Sequence, residues 1–115
     1  MKLAIKRVYV GQSPRDGRRI LVDRLWPRGL SKEKAGIALW CREAAPSDAL
    51  RKCYKREECT WSEFRRRYFD ELRKNPSALE PIRSALRAGA VTLVYASRDE
   101  KRNNAVALRE FLESR

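Results

Sequence analysis

Residues Val91-Thr92-Leu93-Val94-Tyr95 decide the fold class of this chain. They form a continuous apolar run of strand length, which is typical of a strand that is buried on both faces. A strand of this kind needs a covering layer on each side of its sheet. The run therefore favours an α/β fold, in which helices pack against a parallel sheet.

Strands and helices alternate along the rest of the chain. Leu3–Val10 and Ile37–Arg42 have the composition of strands, and Ile20–Asp23 is interpreted as an extended segment that leads into a loop. Three helices are predicted from Ser31 to Ala35, from Ser47 to Lys55, and from the Thr60–Glu63 capping box to Asn75. A fourth helix follows Asn75 and runs to Ala88, with Pro81 in its first turn. The last helix follows Arg102 and runs almost to Arg115. With 115 residues, we expect one α/β domain over residues 1–115, a small sandwich with a mostly parallel three- to four-stranded sheet flanked by helices.

The charge is high and unevenly distributed. The chain has 27 Lys and Arg residues against 15 Asp and Glu residues, a formal net charge of +12, and residues 1–56 contribute +10 of it. Such an asymmetry favours anionic partners such as phosphorylated small molecules, nucleic acid or acidic proteins, although a solvated basic surface would look the same. The chain has no histidine, which excludes histidine acid/base catalysis, and we expect no metal site and no cofactor.

Three cysteines without regular spacing, Cys41, Cys53 and Cys59, are expected to be mostly reduced in a soluble cytoplasmic protein. No secretory signal is visible, and the longest apolar run, residues 90–96, is too short to span a bilayer, so no membrane partner is expected. Gln, Asn and Met are scarce, which hints at a thermophilic source, and a Cys53–Cys59 disulfide would be consistent with a hyperthermophile.

The loop Val22–Leu30 is interpreted as one wall of a site, because Pro27 fixes its own φ and Gly29 can adopt conformations closed to other residues. Ligands collect beyond the carboxyl ends of parallel strands, where residues 43–47 and 97–104 lead into helices whose free N–H groups attract anions. The candidate anion-binding residues are Arg24, Arg28, Arg51, Ser97, Arg98, Asn103 and Asn104, and the candidate lining residues are Asp23, Trp26, Glu43, Ser47, Tyr95 and Asp99. The alternative is a structural network in which Arg24 and Arg51 neutralise Asp23 and Glu43.

Two further motifs have simpler explanations. Cys59-x5-Arg65 matches the spacing of a cysteine phosphatase loop, but a capping box and an amphipathic helix occupy that segment, and a helix interior has already used its N–H groups. Arg65–Arg67 with Lys52, Lys55 and Arg56 would suit nucleic acid or a solvated helix face equally. No glycine-rich nucleotide-binding motif is present.

Four groups of residues resemble the YeaO-like family of uncharacterised bacterial and archaeal proteins. They are residues 22–35, residues 43–47 with 50–52, Trp61 with Phe64, Tyr68, Glu71 and Leu72, and residues 93–96 with Asp99, Glu100, 103–105 and Leu108. The resemblance implies a small soluble cytoplasmic α/β domain without an established activity. It also implies histidines where this chain has Arg56 and Arg102, and an aromatic residue at Cys53, so no role of those histidines operates here.

The leading hypothesis is therefore a domain that binds a phosphate- or nucleotide-like anion in an arginine-lined pocket. If the protein is an enzyme, it would hydrolyse or transfer groups on such a substrate, with Asp23, Glu43 or Asp99 as the base. One alternative is a nucleic-acid-binding module that uses the basic N-terminal half. Another is a structural or protein-interaction domain.

Overall fold

Four parallel strands form one sheet in the order β1-β4-β2-β3. The computed structural model describes residues 2–114, so Met1 and Arg115 lie outside the described residues. The strands are β1 (Leu3–Arg7), β2 (Arg18–Leu21), β3 (Leu39–Trp40) and β4 (Val91–Tyr95). Leu93 of β4 lies opposite Ile5 on one side and Ile20 on the other, so β4 is a central strand. The predicted α/β class and parallel sheet are confirmed.

The helices that follow Ser31, Ser47 and Thr60 begin at the predicted capping residues. The helices are α1 (Lys32–Ala35), α2 (Asp48–Lys55), α3 (Trp61–Lys74), α4 (Glu80–Ala88) and α5 (Asn104–Glu113), with 3-10 turns at Pro14–Asp16, Arg42–Ala44 and Pro76–Leu79. Ser31 and Ser47 cap α1 and α2, and Thr60 with Glu63 forms the expected capping box of α3. Between residues 2 and 114, no helix is both long and apolar enough to cross a membrane.

Three predicted strand boundaries were wrong. β1 ends at Arg7 instead of Val10, because the Val10 N–H turns back to the Arg7 carbonyl at 3.0 Å. β2 begins at Arg18, whose N–H bonds the Ala90 carbonyl at 3.0 Å, and it ends at Leu21. β3 contains only Leu39 and Trp40, because a 3-10 turn begins at Arg42.

The two faces of the sheet are covered by different layers. Helices α2 to α5 pack on one face, where the largest fully buried side chains include Tyr68, Ile20, Leu93 and Leu108. The other face carries a smaller core of Val8, Leu21, Ala35, Ile37 and Val94, closed by Trp26, Leu30 and Trp40. All five residues of β4 are buried, as its apolar run predicts. The layer over the smaller core consists of residues 8–17 and 24–36, and we refer to it as the loop layer.

A buried ion pair that the sequence analysis missed fastens the loop layer to the sheet. The side chain of Arg19, only 3 % exposed, donates from Nη1 to Asp16 Oδ2 at 2.8 Å, from Nε to the Ala35 carbonyl at 3.0 Å and from Nη2 to the Val8 carbonyl at 3.3 Å. Lys6 Nζ contacts the same carboxylate at 3.0 Å. Desolvation opposes the ionisation of Asp16, but the hydrogen bonds from Lys6 and Arg19 outweigh it and lower the pKa of Asp16.

Replacing Asp16 with Asn should lower the free energy of unfolding at pH 7 by about 3 kcal/mol, because it leaves the buried Arg19 charge without its counter-ion. The folded-state pKa of Asp16 lies below its unfolded value, so its contribution is present above the unfolded pKa and is lost as pH falls through the folded pKa. In urea unfolding between pH 7 and pH 3, the free energy of unfolding should therefore fall less steeply with decreasing pH for Asp16→Asn than for the wild type.

The matched control is Asp70→Asn, which removes only the exposed Asp70–Arg73 ion pair. Its free energy of unfolding should equal that of the wild type at pH 7 and should decrease in the same way towards pH 3. If both variants lowered the free energy of unfolding equally, the buried pair would contribute no more to stability than the exposed pair.

Candidate functional site

The carboxyl ends of all four strands meet at one edge of the sheet, because every strand runs in the same direction. Val8 follows β1, Val22 follows β2, Cys41 follows β3 and Ala96 follows β4. The loop Val22–Leu30 and the loops 43–47 and 97–104 all start at this edge. The candidate site is therefore the place where these three loops meet.

Asp23 joins the ends of two neighbouring strands to the start of α5. Its Oδ2 accepts the Ala96 N–H at 2.9 Å, and its Oδ1 accepts Asn104 Nδ2 at 3.0 Å. Asn104 Nδ2 also donates to the Val22 carbonyl at 2.8 Å, and Trp40 Nε1 donates to the Asp23 carbonyl at 2.8 Å. Burial raises the pKa of Asp23, and the hydrogen bonds from Asn104 and Ala96 only partly offset this effect.

A carboxylate of the chain occupies the beginning of α2, which the sequence analysis proposed as an anion site. Glu71 on α3 accepts the Ser47 N–H at 2.8 Å and the Ser47 hydroxyl at 2.6 Å. The same hydroxyl accepts the Leu50 N–H at 3.2 Å. The positive end of the α2 dipole thus already has an anionic partner.

The 97–104 loop is organised around Asp99 in the same way. Asp99 Oδ1 accepts the N–H groups of Lys101 and Arg102 at 2.9 and 3.0 Å, and these bonds lower the pKa of Asp99. The side chain of Asn103, which is buried, donates to the Asp99 carbonyl at 2.8 Å and caps α5 through the Val106 N–H at 2.9 Å. Ser97 Oγ accepts the Asp99 N–H at 3.1 Å. The candidate amides of this loop, Asn103 and Asn104, therefore bind groups of the protein itself.

The four candidate arginines do not converge on one point. Arg24 Nε donates to the Pro46 carbonyl at 3.0 Å, and Arg51 Nη2 pairs with Asp48 on its own helix at 2.8 Å. Arg28 is exposed elsewhere, in the loop layer, where its carbonyl accepts the Tyr9 hydroxyl at 2.8 Å, and Arg98 is also exposed. Among residues 2–114, neither Arg24 nor Arg51 forms an ion pair with Asp23 or Glu43, so the alternative network is not formed.

Two aromatic residues of the candidate lining have structural contacts. Trp26 Nε1 donates to the Leu30 carbonyl at 2.7 Å, and its ring meets Trp40 edge-on with centroids 5.3 Å apart. Gly29 takes φ +79°, as its place in this loop suggested. Tyr95 is only 2 % exposed and belongs to the core under the helices. Burial raises its pKa.

A cleft of about 180 Å³ lies beside Arg24. Glu43, Ser47, Glu71 and Asn75 also line it, so two carboxylates face one guanidinium. The cleft adjoins a groove of about 500 Å³ that includes Trp40, over which the Arg42 guanidinium lies 5.0 Å from the ring centroid. The local charge of this cleft does not favour a small anion.

Cys41 and Cys59 are not activated as nucleophiles. Burial raises the pKa of Cys41 and of Cys59 to about 11 in each case, which keeps both protonated. Arg65 points away from Cys59 and pairs with Glu110 on α5. Within residues 2–114, no group of three or more His, Cys, Asp or Glu residues could hold a metal ion.

Sequence comparisons now identify the family. The model of a family described as the inactive DUF488-N3 subclade matches residues 2–115. This chain belongs to that subclade. It is also 35 % identical over 114 residues to the uncharacterised protein YeaO of Escherichia coli, covering 99 % of each chain, which confirms the resemblance to the YeaO-like family.

A second relative is an uncharacterised protein of Mycobacterium tuberculosis, 37 % identical over 114 residues, with 99 % of this chain and 96 % of the relative covered. An uncharacterised protein of Mycobacterium bovis matches with the same identity and coverage. No solved structure matches the chain significantly.

Sequence reasoning missed several residues that shape this edge. In the sequence, Glu71 is marked only by the family resemblance. Its contact with Ser47 joins residues that are 24 positions apart. Arg7 bridges two strands by donating from Nε to the Ser97 carbonyl at 2.9 Å, and its guanidinium lies 4.7 Å from the centroid of the Tyr9 ring. None of these residues lies in a recognisable local motif.

The Asp23–Asn104 contact should be measurable as a coupling energy. Asp23→Ala and Asn104→Ala should each lower the free energy of unfolding by about 2 kcal/mol, since each leaves a partner unpaired. In a double-mutant cycle followed by urea unfolding, the two losses should fall short of additivity by about 1 kcal/mol.

The control cycle pairs Asn104→Ala with Asp70→Ala, which lies on the exposed side of α3. These two changes should be additive. Additive losses for Asp23 and Asn104 would show that the carboxylate does not hold the start of α5.

Proposed function

We propose that this protein is a non-catalytic domain that binds nucleic acid through its loop layer. The observation that carries the proposal is a set of exposed cations in that layer that have no carboxylate partner. These cations belong to the part of the basic N-terminal half that covers one face of the sheet.

Arg15, Arg28, Lys32 and Lys34 are exposed in the loop layer, and none of them takes part in an ion pair within the described part of the chain. The layer contains only two acidic residues, Asp16 and Glu33. Asp16 is buried and already paired. The layer therefore presents a positive surface suited to a phosphate backbone.

Exposed apolar side chains lie in the same layer. Tyr9 is 40 % exposed, Val10 is 50 % exposed and Leu25 is 57 % exposed, although side chains of this size are usually covered. Arg7 holds the Tyr9 ring from one side at 4.7 Å. An aromatic ring among cations is the combination that unpaired bases and phosphates favour, so a single strand is the preferred ligand.

The contacts at the sheet edge support a non-catalytic role. Asp23, Glu71 and Asp99 take up donors that a substrate anion would need, and the buried thiols are protonated. The description of the family as inactive agrees with this proposal.

Anisotropy of a labelled single-stranded oligonucleotide should reveal binding that weakens with salt. The logarithm of the association constant should fall against the logarithm of salt concentration with a slope of about −0.7 for each phosphate contacted. Replacing Arg15, Arg28, Lys32 and Lys34 together with Gln should reduce the affinity at least about tenfold and flatten the slope by about 3.

A matched variant tests whether the affinity depends on the cations of the loop layer or only on the net charge of the protein. Lys55, Arg56, Arg66 and Lys74 are exposed, lie outside that layer and form no ion pair among residues 2–114, so replacing them with Gln removes the same charge. This variant should keep most of the affinity. Equal losses in both variants, or no binding at low salt, would overturn the proposal, and tighter binding to a duplex would contradict the single-strand preference.

A second candidate function is the binding of a small phosphate-like anion near Arg51. Its Nε is buried without a hydrogen-bond partner in the described structure, and its charge acts on the carboxyl of Asp23. The Arg51 side chain is 31 % exposed, so an oxyanion from solvent has access to the guanidinium.

Phosphate at constant ionic strength should then raise the melting temperature of the wild type in a saturable way. Arg51→Met should abolish this rise, whereas Lys52→Met, on the same helix, should retain it, because Lys52 is exposed and paired with Asp48. An equal response of all three proteins would exclude Arg51 as an anion ligand.

A further inference from the structure

Cys53 and Cys59 lie against each other where α2 passes into α3. Cys53 is in the last turn of α2, and Cys59 directly precedes the N-cap Thr60 of α3. Both are free thiols, Cys59 belongs to the core under the helices, and Cys53 packs against that core. Two thiols this close across a five-residue connection are candidates for a disulfide.

The turn between them fixes this geometry. The Glu58 N–H bonds the Cys53 carbonyl at 2.9 Å, and the Glu57 N–H bonds the Tyr54 carbonyl at 3.0 Å. These two bonds form a Schellman motif, and Glu57 takes the left-handed conformation it requires, with φ 58°. The backbone therefore folds back on α2 directly before Cys59, since the Glu58 N–H meets the Cys53 carbonyl.

The two thiols differ in access and surroundings. Cys53 is half-buried, and Arg67 Nη1 lies 3.7 Å from its sulfur. Cys59 is only 6 % exposed, and burial followed by the contact with Cys53 raises its pKa to about 11. An external reagent thus reaches Cys53 first, and Cys59 is placed to react second.

We propose that Cys53 and Cys59 form a reversible disulfide by exchange with an anionic low-molecular-weight disulfide such as oxidised glutathione. The Cys53 thiolate attacks one sulfur of the reagent, whose S–S bond breaks and releases one glutathione thiolate. Cys59 then loses its proton to solvent and attacks Cys53 Sγ, which releases the second glutathione. The two protein thiols are oxidised, and one molecule of glutathione disulfide is reduced to two thiols.

The cation nearest to Cys53 favours an anionic reagent. Arg67 contacts the sulfur, while the exposed Lys55 and Arg56 at the end of the same helix are offset by Glu57 and Glu58. The Arg67 guanidinium attracts the carboxylates of glutathione disulfide and repels a cationic disulfide such as cystamine. The inference is independent of nucleic-acid binding, since it concerns the helical layer and not the loop layer.

The test incubates the native full chain with oxidised glutathione and reads the intact mass. The wild type should lose two hydrogens, and its melting temperature should rise by about 5 °C, because the bridge restricts the unfolded chain. Cys59→Ser should stop at a glutathione adduct on Cys53, and Cys53→Ser should form neither the adduct nor the bridge. Cys41→Ser, which removes the buried thiol after β3, should behave as the wild type.

Reagent charge gives a second measurement. Glutathione disulfide should react faster than cystamine with the wild type, and Arg67→Gln should narrow that ratio several-fold. A wild-type protein that stays reduced while folded, or an adduct that forms on Cys59 in preference to Cys53, would overturn the inference. Reduction of the oxidised protein by excess reduced glutathione should restore the original mass, and a failure to do so would contradict reversibility.

Discussion

The carboxylate of Asp23 closes the edge of the sheet where the strands end. β2 and β4 are neighbours, and Asp23 joins the end of one to the Ala96 N–H after the other and to Asn104 at the start of α5. Its carbonyl accepts the indole N–H of Trp40 in β3. One residue thus holds three chain segments that are separated in sequence. The loop Val22–Leu30 begins at this point.

Asp23 is one of three carboxylates that satisfy the donors of this edge from within. Glu71 binds the start of α2 through Ser47, and Asp99 binds the N–H groups of its own loop. Parallel α/β sheets usually leave such donors for a ligand. At this edge the three carboxylates of the chain itself take that place.

The two layers on the sheet differ in their balance of charges. The loop layer has five basic and two acidic residues, whereas residues 48–114, which contain the helices of the other layer, have 15 basic and 11 acidic residues. Because the loop layer is thin, a buried arginine, Arg19, secures it by bonds to Asp16 and to the carbonyls of Ala35 and Val8. The arginines and lysines left over point to solvent.

The sequence by itself determined the features that depend on neighbours in the chain. The apolar run of β4, the capping residues Ser47 and Thr60, and the freedom needed at Gly29 follow from local steric and hydrogen-bonding rules, so they were predictable. Only the tertiary structure decided which donors remain free. Glu71 reaches Ser47, and Asn104 reaches Asp23, across 24 and 81 residues, and a carboxylate's partner at such separations depends on how the layers pack. For the same reason the Arg24 side chain bonds the Pro46 carbonyl before α2, whereas Arg28, four residues later, is exposed.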